Sequence, residues 1–183
     1  MTPLHLLAEK VHENGSQDAT LAFASLLLLE YGANAKARVN AGWTALHLLV
    51  QNFHKNDSQN ASLALARILL DHGASAAAQS NDRLTPLHLV VKYVENKQST
   101  FTLAKFLLEH GADATVPGED GWTPLHILTD RLDSKNQNVA LALLRLLLEA
   151  PGTDCNSQNN DGQTVLHLIC MRSRMTTGID LLR

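Results

Sequence analysis

A four-residue pattern, threonine–any residue–leucine–histidine, occurs five times in this chain: Thr2-Pro3-Leu4-His5, Thr44-Ala45-Leu46-His47, Thr85-Pro86-Leu87-His88, Thr123-Pro124-Leu125-His126 and Thr164-Val165-Leu166-His167. The threonines advance in steps of 42, 41, 38 and 41 residues. Self-similarity at a period of roughly 20–50 residues means that one supersecondary unit is copied and stacked, because each unit alone cannot bury its apolar face. The pattern therefore points away from one core of unrelated elements and toward a quasi-linear array.

Each unit has the same internal order. Threonine is a good N-cap, since its hydroxyl can accept an N–H two or three residues on. Proline at the next position loses nothing by lacking an N–H at the start of a helix. The histidine falls at the third helical position, from which a side chain can reach back to the cap. Short apolar runs such as His88-Leu89-Val90-Val91 continue this first, inner helix. A polar stretch follows, then a second apolar helix such as "ASLALARILLDHG", with leucine and alanine at helical spacing. Glycines 32, 73 and 111 stand where a left-handed residue ends a helix. From Gly32, Gly73, Gly111 and Gly152 to the next repeat's threonine the step is always 12 residues, through a polar link rich in turn formers.

The five T-x-L-H units, the segments "LLLEYGANA", "LLDHGASA" and "LLEHGADA", and the "GWTPLH" entry together resemble the ankyrin repeat, whose period is about 33 residues with a T-P-L-H-x-A signature. The resemblance implies an all-α ankyrin-repeat solenoid of stacked helix pairs joined by β-hairpin-like fingers. It implies a single domain over residues 1–183, with repeats at about 1–40, 41–81, 82–119, 120–160 and an incomplete 161–183. The periods exceed the family's by 9, 8, 5 and 8 residues. Because the finger length is constant, the excess falls between inner and outer helices, in stretches such as "NFHKNDSQN" and "DSKNQN". Such inserts read as solvent-exposed loops. The first repeat starts at its threonine, and the last has only "MTTGIDLLR" for an outer helix. An array needs polar end caps, so the expectation is a segment of a longer protein.

Residue chemistry narrows the function. The net charge is -3 with a pI near 6.3, which argues against a broad phosphate-binding surface. No apolar run reaches the roughly 18 residues of a membrane span, and no signal segment opens the chain. Cys155 and Cys170 have no pairing pattern, which suggests a reducing compartment. The expected location is intracellular, in cytoplasm or nucleus.

Five recurring histidines could suggest metal binding. Helices in a stack lie about 8–10 Å apart, whereas zinc ligands lie about 2 Å from the ion. Histidines in successive repeats therefore cannot share one ion, and each reads as a stitch between its cap and neighbouring backbone. His72 and His110 fall at outer-helix ends, where a cation complements the helix dipole. His12 and His54 fall in inserts. His167 and Cys170 are three apart on one helix, the spacing of a nucleophile and its base, but no orienting group or oxyanion site accompanies them. With no phosphate loop, HExxH or CxxC, the reading is no catalysis, no cofactor and no metal.

In the ankyrin family, partners bind finger tips and the exposed face of the inner helices. Carried over, the residues just before each threonine are Trp43, Leu84, Trp122 and Gln163, and those late in the inner helices include Lys92, Tyr93, Asp130, Arg131, Met171 and Arg172. Trp43 and Trp122 are the only tryptophans, a residue type enriched at binding hot spots. Leu84 and Tyr93 fall between them in repeat order, bordered by Arg83, Lys92 and Arg131. Arg83 takes the place of a glycine in neighbouring fingers, so that finger should turn differently. The expected function is binding of another protein through this concave surface, by a monomer with no membrane contact. The alternatives are base stacking of a nucleotide or single-stranded RNA on the tryptophans, and the ankyrin region of a host-directed effector acting in host cytoplasm.

Overall fold

A computed structural model describes residues 1–11, 17–53, 59–94, 98–132 and 137–177. His12, His54, Lys55, Asn56, Lys97 and Lys135, and with them most of the inserts, lie outside the described residues. The helices are α1 (Pro3–Lys10), α2 (Gln17–Leu29), α3 (Ala45–Phe53), α4 (Gln59–Asp71), α5 (Pro86–Lys92), α6 (Gln98–Glu109), α7 (Pro124–Asp130), α8 (Gln137–Glu149) and α9 (Val165–Thr177). Among the described residues no strand forms. The odd-numbered helices make an inner layer, each packed on the next from α1 to α9. The even-numbered helices lie behind their inner partners.

The leucine of the repeated tetrapeptide is the anchor of each inner helix. Leu4, Leu46, Leu87 and Leu125 are at most 2% exposed, between one helix pair and the next. Burying a leucine side chain stabilises by about 2 kcal/mol. Leu166, the fifth, is 63% exposed, because it faces outward from the last repeat. In that repeat α9 runs on through Met175 to Thr177, the first three residues of the segment assigned to an outer helix; the remainder of that segment, residues 178–183, lies outside the described residues.

At the start of α5 and α7, Thr85 and Thr123 accept from the backbone N–H of His88 and His126, completing reciprocal capping boxes. Replacing Thr85 with alanine removes one such cap. Thr85→Ala should lower the unfolding free energy by about 1 kcal/mol, read by urea denaturation. No change in midpoint would mean that the histidine alone organises the turn.

The fingers (residues 33–43, 74–84, 112–122 and 153–163) are closed by one hairpin bond each. Val39, Ser80 and Gly118 donate to the carbonyls of Trp43, Leu84 and Trp122 at 2.8 Å, and Asn159 donates to Gln163 at 3.0 Å. Their tips fall into two kinds. The first and third turn through two successive left-handed residues, Ala41-Gly42 and Asp120-Gly121. The second and fourth use one, Arg83 or Gly162. The extra left-handed residue offers its carbonyl to the following finger: Asn81 N–H donates to Ala41 at 2.8 Å, and Asn160 N–H donates to Asp120 at 2.9 Å. Between the second and third fingers, Asp82 and Glu119 make no such bond. The outer layer follows the same pairing. α2 packs on α4 and α6 on α8, while α4 and α6 scarcely meet. A two-repeat rhythm is thus laid over the one-repeat period.

Arg83 was expected to change the turn of its finger. The second finger does differ from the first and third. Yet Arg83 holds the left-handed conformation (φ 59°) that Gly162 holds in the fourth (φ 73°). The difference therefore lies in Asp82, which is not left-handed, rather than in the loss of glycine.

Candidate partner-binding surface

The tetrapeptide histidines make the scaffold on which the concave face is mounted. His47 Nδ1 accepts from the N–H of Thr44 at 3.2 Å and pairs with its hydroxyl at 2.8 Å, while Nε2 donates to the Leu84 carbonyl of the next repeat at 3.0 Å. His88 does the same with Thr85 and the Trp122 carbonyl, and His126 with Thr123 and the Gln163 carbonyl. His5 reaches the carbonyl of Trp43. In His47 and His88 Nδ1 accepts and Nε2 donates, so these rings are neutral with the proton on Nε2. Burial pushes the pKa of His47 and His88 down to about 4, from an ordinary 6.5. His5 is also lowered, again mainly by burial. Each histidine thus fixes the carbonyl of the residue before the next threonine, and with it the position from which Trp43, Leu84, Trp122 and Gln163 project.

A concavity of about 240 Å3 opens on this face, lined by Leu84, Lys92, Glu119, Asp120, Trp122, Ile127, Asp130 and Arg131. Leu84, Trp122 and Ile127 are half-buried. They give it an apolar wall. Its carboxylates stand on the finger tip (Glu119, Asp120) and at the end of α7 (Asp130), with Lys92 and Arg131 at the ends of the inner helices. Asp130 also meets Arg172 of the last repeat at 3.7 Å.

Residues 57–146 match the family model for ankyrin repeats (3 copies). They are ankyrin repeats. A comparison with curated proteins finds no match. In the ankyrin array, α1, α2 and α3 on one side of the matched residues and α9 on the other continue the same stacking, with the tetrapeptide at the start of α1, α3 and α9. Ankyrin repeats are in general protein–protein interaction modules.

On the ankyrin array the residues singled out from sequence divide into three groups. Leu84, Lys92, Trp122, Asp130 and Arg131 share the concavity, with Arg172 tied to it through Asp130. Gln163 and Met171 are joined in the last repeat, where the Gln163 amide lies 3.7 Å from the Met171 sulfur. Trp43, Arg83 and Tyr93 do not line the concavity; Lys92 lies 6.0 Å from the centre of the Tyr93 ring. Both tryptophans are half-buried against the histidine of their own repeat, with ring centres 5.8 Å apart for Trp43–His47 and 6.1 Å for Trp122–His126. Ile127 escaped the sequence reading because it looks like any apolar residue of an inner helix. Its signal is its place four residues after the threonine, on the edge of the helix between core and groove.

The remaining polar candidates have structural partners. His72 and His110 donate from Nδ1 to the carbonyls of Ile68 and Phe106 at 2.8 Å, tying off their outer helices. His167 Nδ1 is engaged by Thr164, as in the other repeats. With Leu166, Cys170 and Met171 it borders a shallow, exposed depression. Among the described residues no three His, Cys, Asp or Glu side chains are grouped to hold a metal ion, and no helix is long and apolar enough to cross a membrane.

Proposed function

We propose that this chain binds a partner protein through the finger and inner-helix face, centred on Leu84, Trp122 and Ile127, and that it carries out no chemistry of its own. The observation that supports this reading most is the concavity, where an apolar wall is rimmed by charges of both signs. Mixed charge suits a protein surface better than nucleic acid, because phosphate contacts need a basic footprint. Trp43, Arg83, Tyr93, Gln163, Met171 and Arg172 form the periphery of the proposed surface. The single domain of residues 1–183 and its five repeat boundaries belong to the same proposal.

A partner captured from cell lysate supplies the test. Trp122→Ala should weaken its binding by about 30-fold, the loss expected when a buried aromatic anchor is truncated. Circular dichroism of the variant must match the parent, since Trp122 also leans on His126. Undiminished binding by folded Trp122→Ala and Leu84→Ala variants would move the surface elsewhere.

A further inference from the structure

The concavity coincides with the one finger junction that is not closed. Where the first finger meets the second and the third meets the fourth, a tip-to-tip backbone bond seals the gap, and Gly42 and Gly121 press on Asn81 and Asn160. Where the second meets the third, no tip-to-tip backbone bond forms, and at the base Gly118 lies against the Leu84 side chain. Toward the tip, the Asp82 carbonyl and Glu119 N–H, which would bond by the rule of the other junctions, are left without each other. Both residues are exposed. The lining residues come from both sides of this same junction, Leu84 and Lys92 from one and those between Glu119 and Arg131 from the other.

Resting on the function proposed above, we infer that the open junction receives an extended polypeptide segment of the partner, one apolar side chain of which enters between Leu84 and Trp122. Main-chain amides of such a segment supply what the missing finger–finger bond leaves unfilled, a carbonyl for Glu119 and an N–H for Asp82. This is how an extended peptide gains affinity along an unpaired edge, while pockets for side chains give specificity. Charge sets the flanking residues. The finger side of the cleft carries Glu119 and Asp120, and the helix side carries Lys92 and Arg131 with Asp130, whose charge is met by Arg172, so the helix side is net cationic. The segment therefore bears a basic residue on one side of its apolar anchor and an acidic residue on the other.

The test is to pan a displayed library of random linear peptides on the full chain and to measure enriched peptides by fluorescence anisotropy. Enriched sequences should share an apolar anchor flanked by opposite charges. Trp122→Ala should weaken them about 30-fold, and N-methylation beside the anchor about 10-fold, while Phe23→Ala, on the exposed face of the outer helix α2, leaves them unchanged. Because Trp122→Ala could disturb folding, a charge exchange gives a second arm: E119K with D120K should reject the selected peptides and accept versions whose basic residue is made acidic. Failure to enrich any linear peptide overturns the inference, as do peptides indifferent to Trp122→Ala and to the charge exchange. Binding of single-stranded RNA at this cleft in place of peptide also overturns it. If a captured partner protein loses binding to Trp122→Ala while no linear peptide binds, the protein-binding reading stands and the extended-segment inference alone falls.

Discussion

Lowering the pH from 7.5 to 5 should remove about 4 kcal/mol of folding stability through His47 and His88 alone. Both rings are held neutral in the fold and have a pKa of about 4, against 6.5 when exposed. Below pH 6.5 the unfolded chain takes up protons at these sites and the folded chain does not. The stability they provide is fully present above 6.5 and drains away as pH falls toward 4. Each contributes a slope of about 1.4 kcal/mol per pH unit in that window, and about 3 kcal/mol in all. The geometry gives the cause. A proton on Nδ1 would face the threonine N–H that now donates to it, setting donor against donor. Urea denaturation at pH 7.5, 6 and 5 reads the effect. A His88→Gln variant, which cannot titrate there, should be less stable at pH 7.5 but lose stability about half as steeply below 6.5. Equal stability of the parent at pH 5 and pH 7.5 would show that the rings are not locked neutral. A domain of this size has only about 5–15 kcal/mol to lose, so mild acid should bring the array close to unfolding.

That the histidines are scaffold was legible in the sequence, because a side chain at the third helical position can reach back to its own cap. Their second bond was less so. The carbonyls they hold lie 31 to 38 residues further on, a distance that only the stacking reveals. The repeat order was legible for the same reason that it folds: threonine, proline and the buried leucine each favour the same helix start. The length of α9, helical as far as Thr177, was not, since the polar residues after the other inner helices end those helices and nothing marks the fifth as different. Nor was the pairing of fingers. It depends on whether Ala41, Asp82, Asp120 and Asp161 turn left-handed, and three of these four are the same residue type with different outcomes. The concavity stems from that difference, so Trp43 and Trp122 looked equivalent in sequence although only Trp122 borders an open junction.

The glycines at the finger tips should separate in stability according to whether a further finger packs against them. Gly121 is left-handed (φ 74°), and a methyl group there would sit 2.7 Å from the Asn160 side-chain oxygen and 3.0 Å from its backbone nitrogen. Gly162 has the same backbone conformation (φ 73°) with nothing within 4 Å. Both alanine variants incur left-handed strain of about 1–2 kcal/mol. Only Gly121→Ala must also push the fourth finger away and stretch the Asp120–Asn160 bond, for a total loss of about 3 kcal/mol. Arg83 occupies the matching position at the open junction. No asparagine presses on it there, which is why a side chain is tolerated, but its φ of 59° carries the same strain. Arg83→Gly should therefore gain up to about 1 kcal/mol, less the entropy of a glycine in the unfolded chain. Urea denaturation of the three variants at pH 7.5 gives the order directly. Equal losses for Gly121→Ala and Gly162→Ala would mean that the third and fourth fingers are not docked. A large loss for Arg83→Gly would mean that the arginine side chain closes the second junction, and the cleft between Leu84 and Trp122 would not be open to a partner.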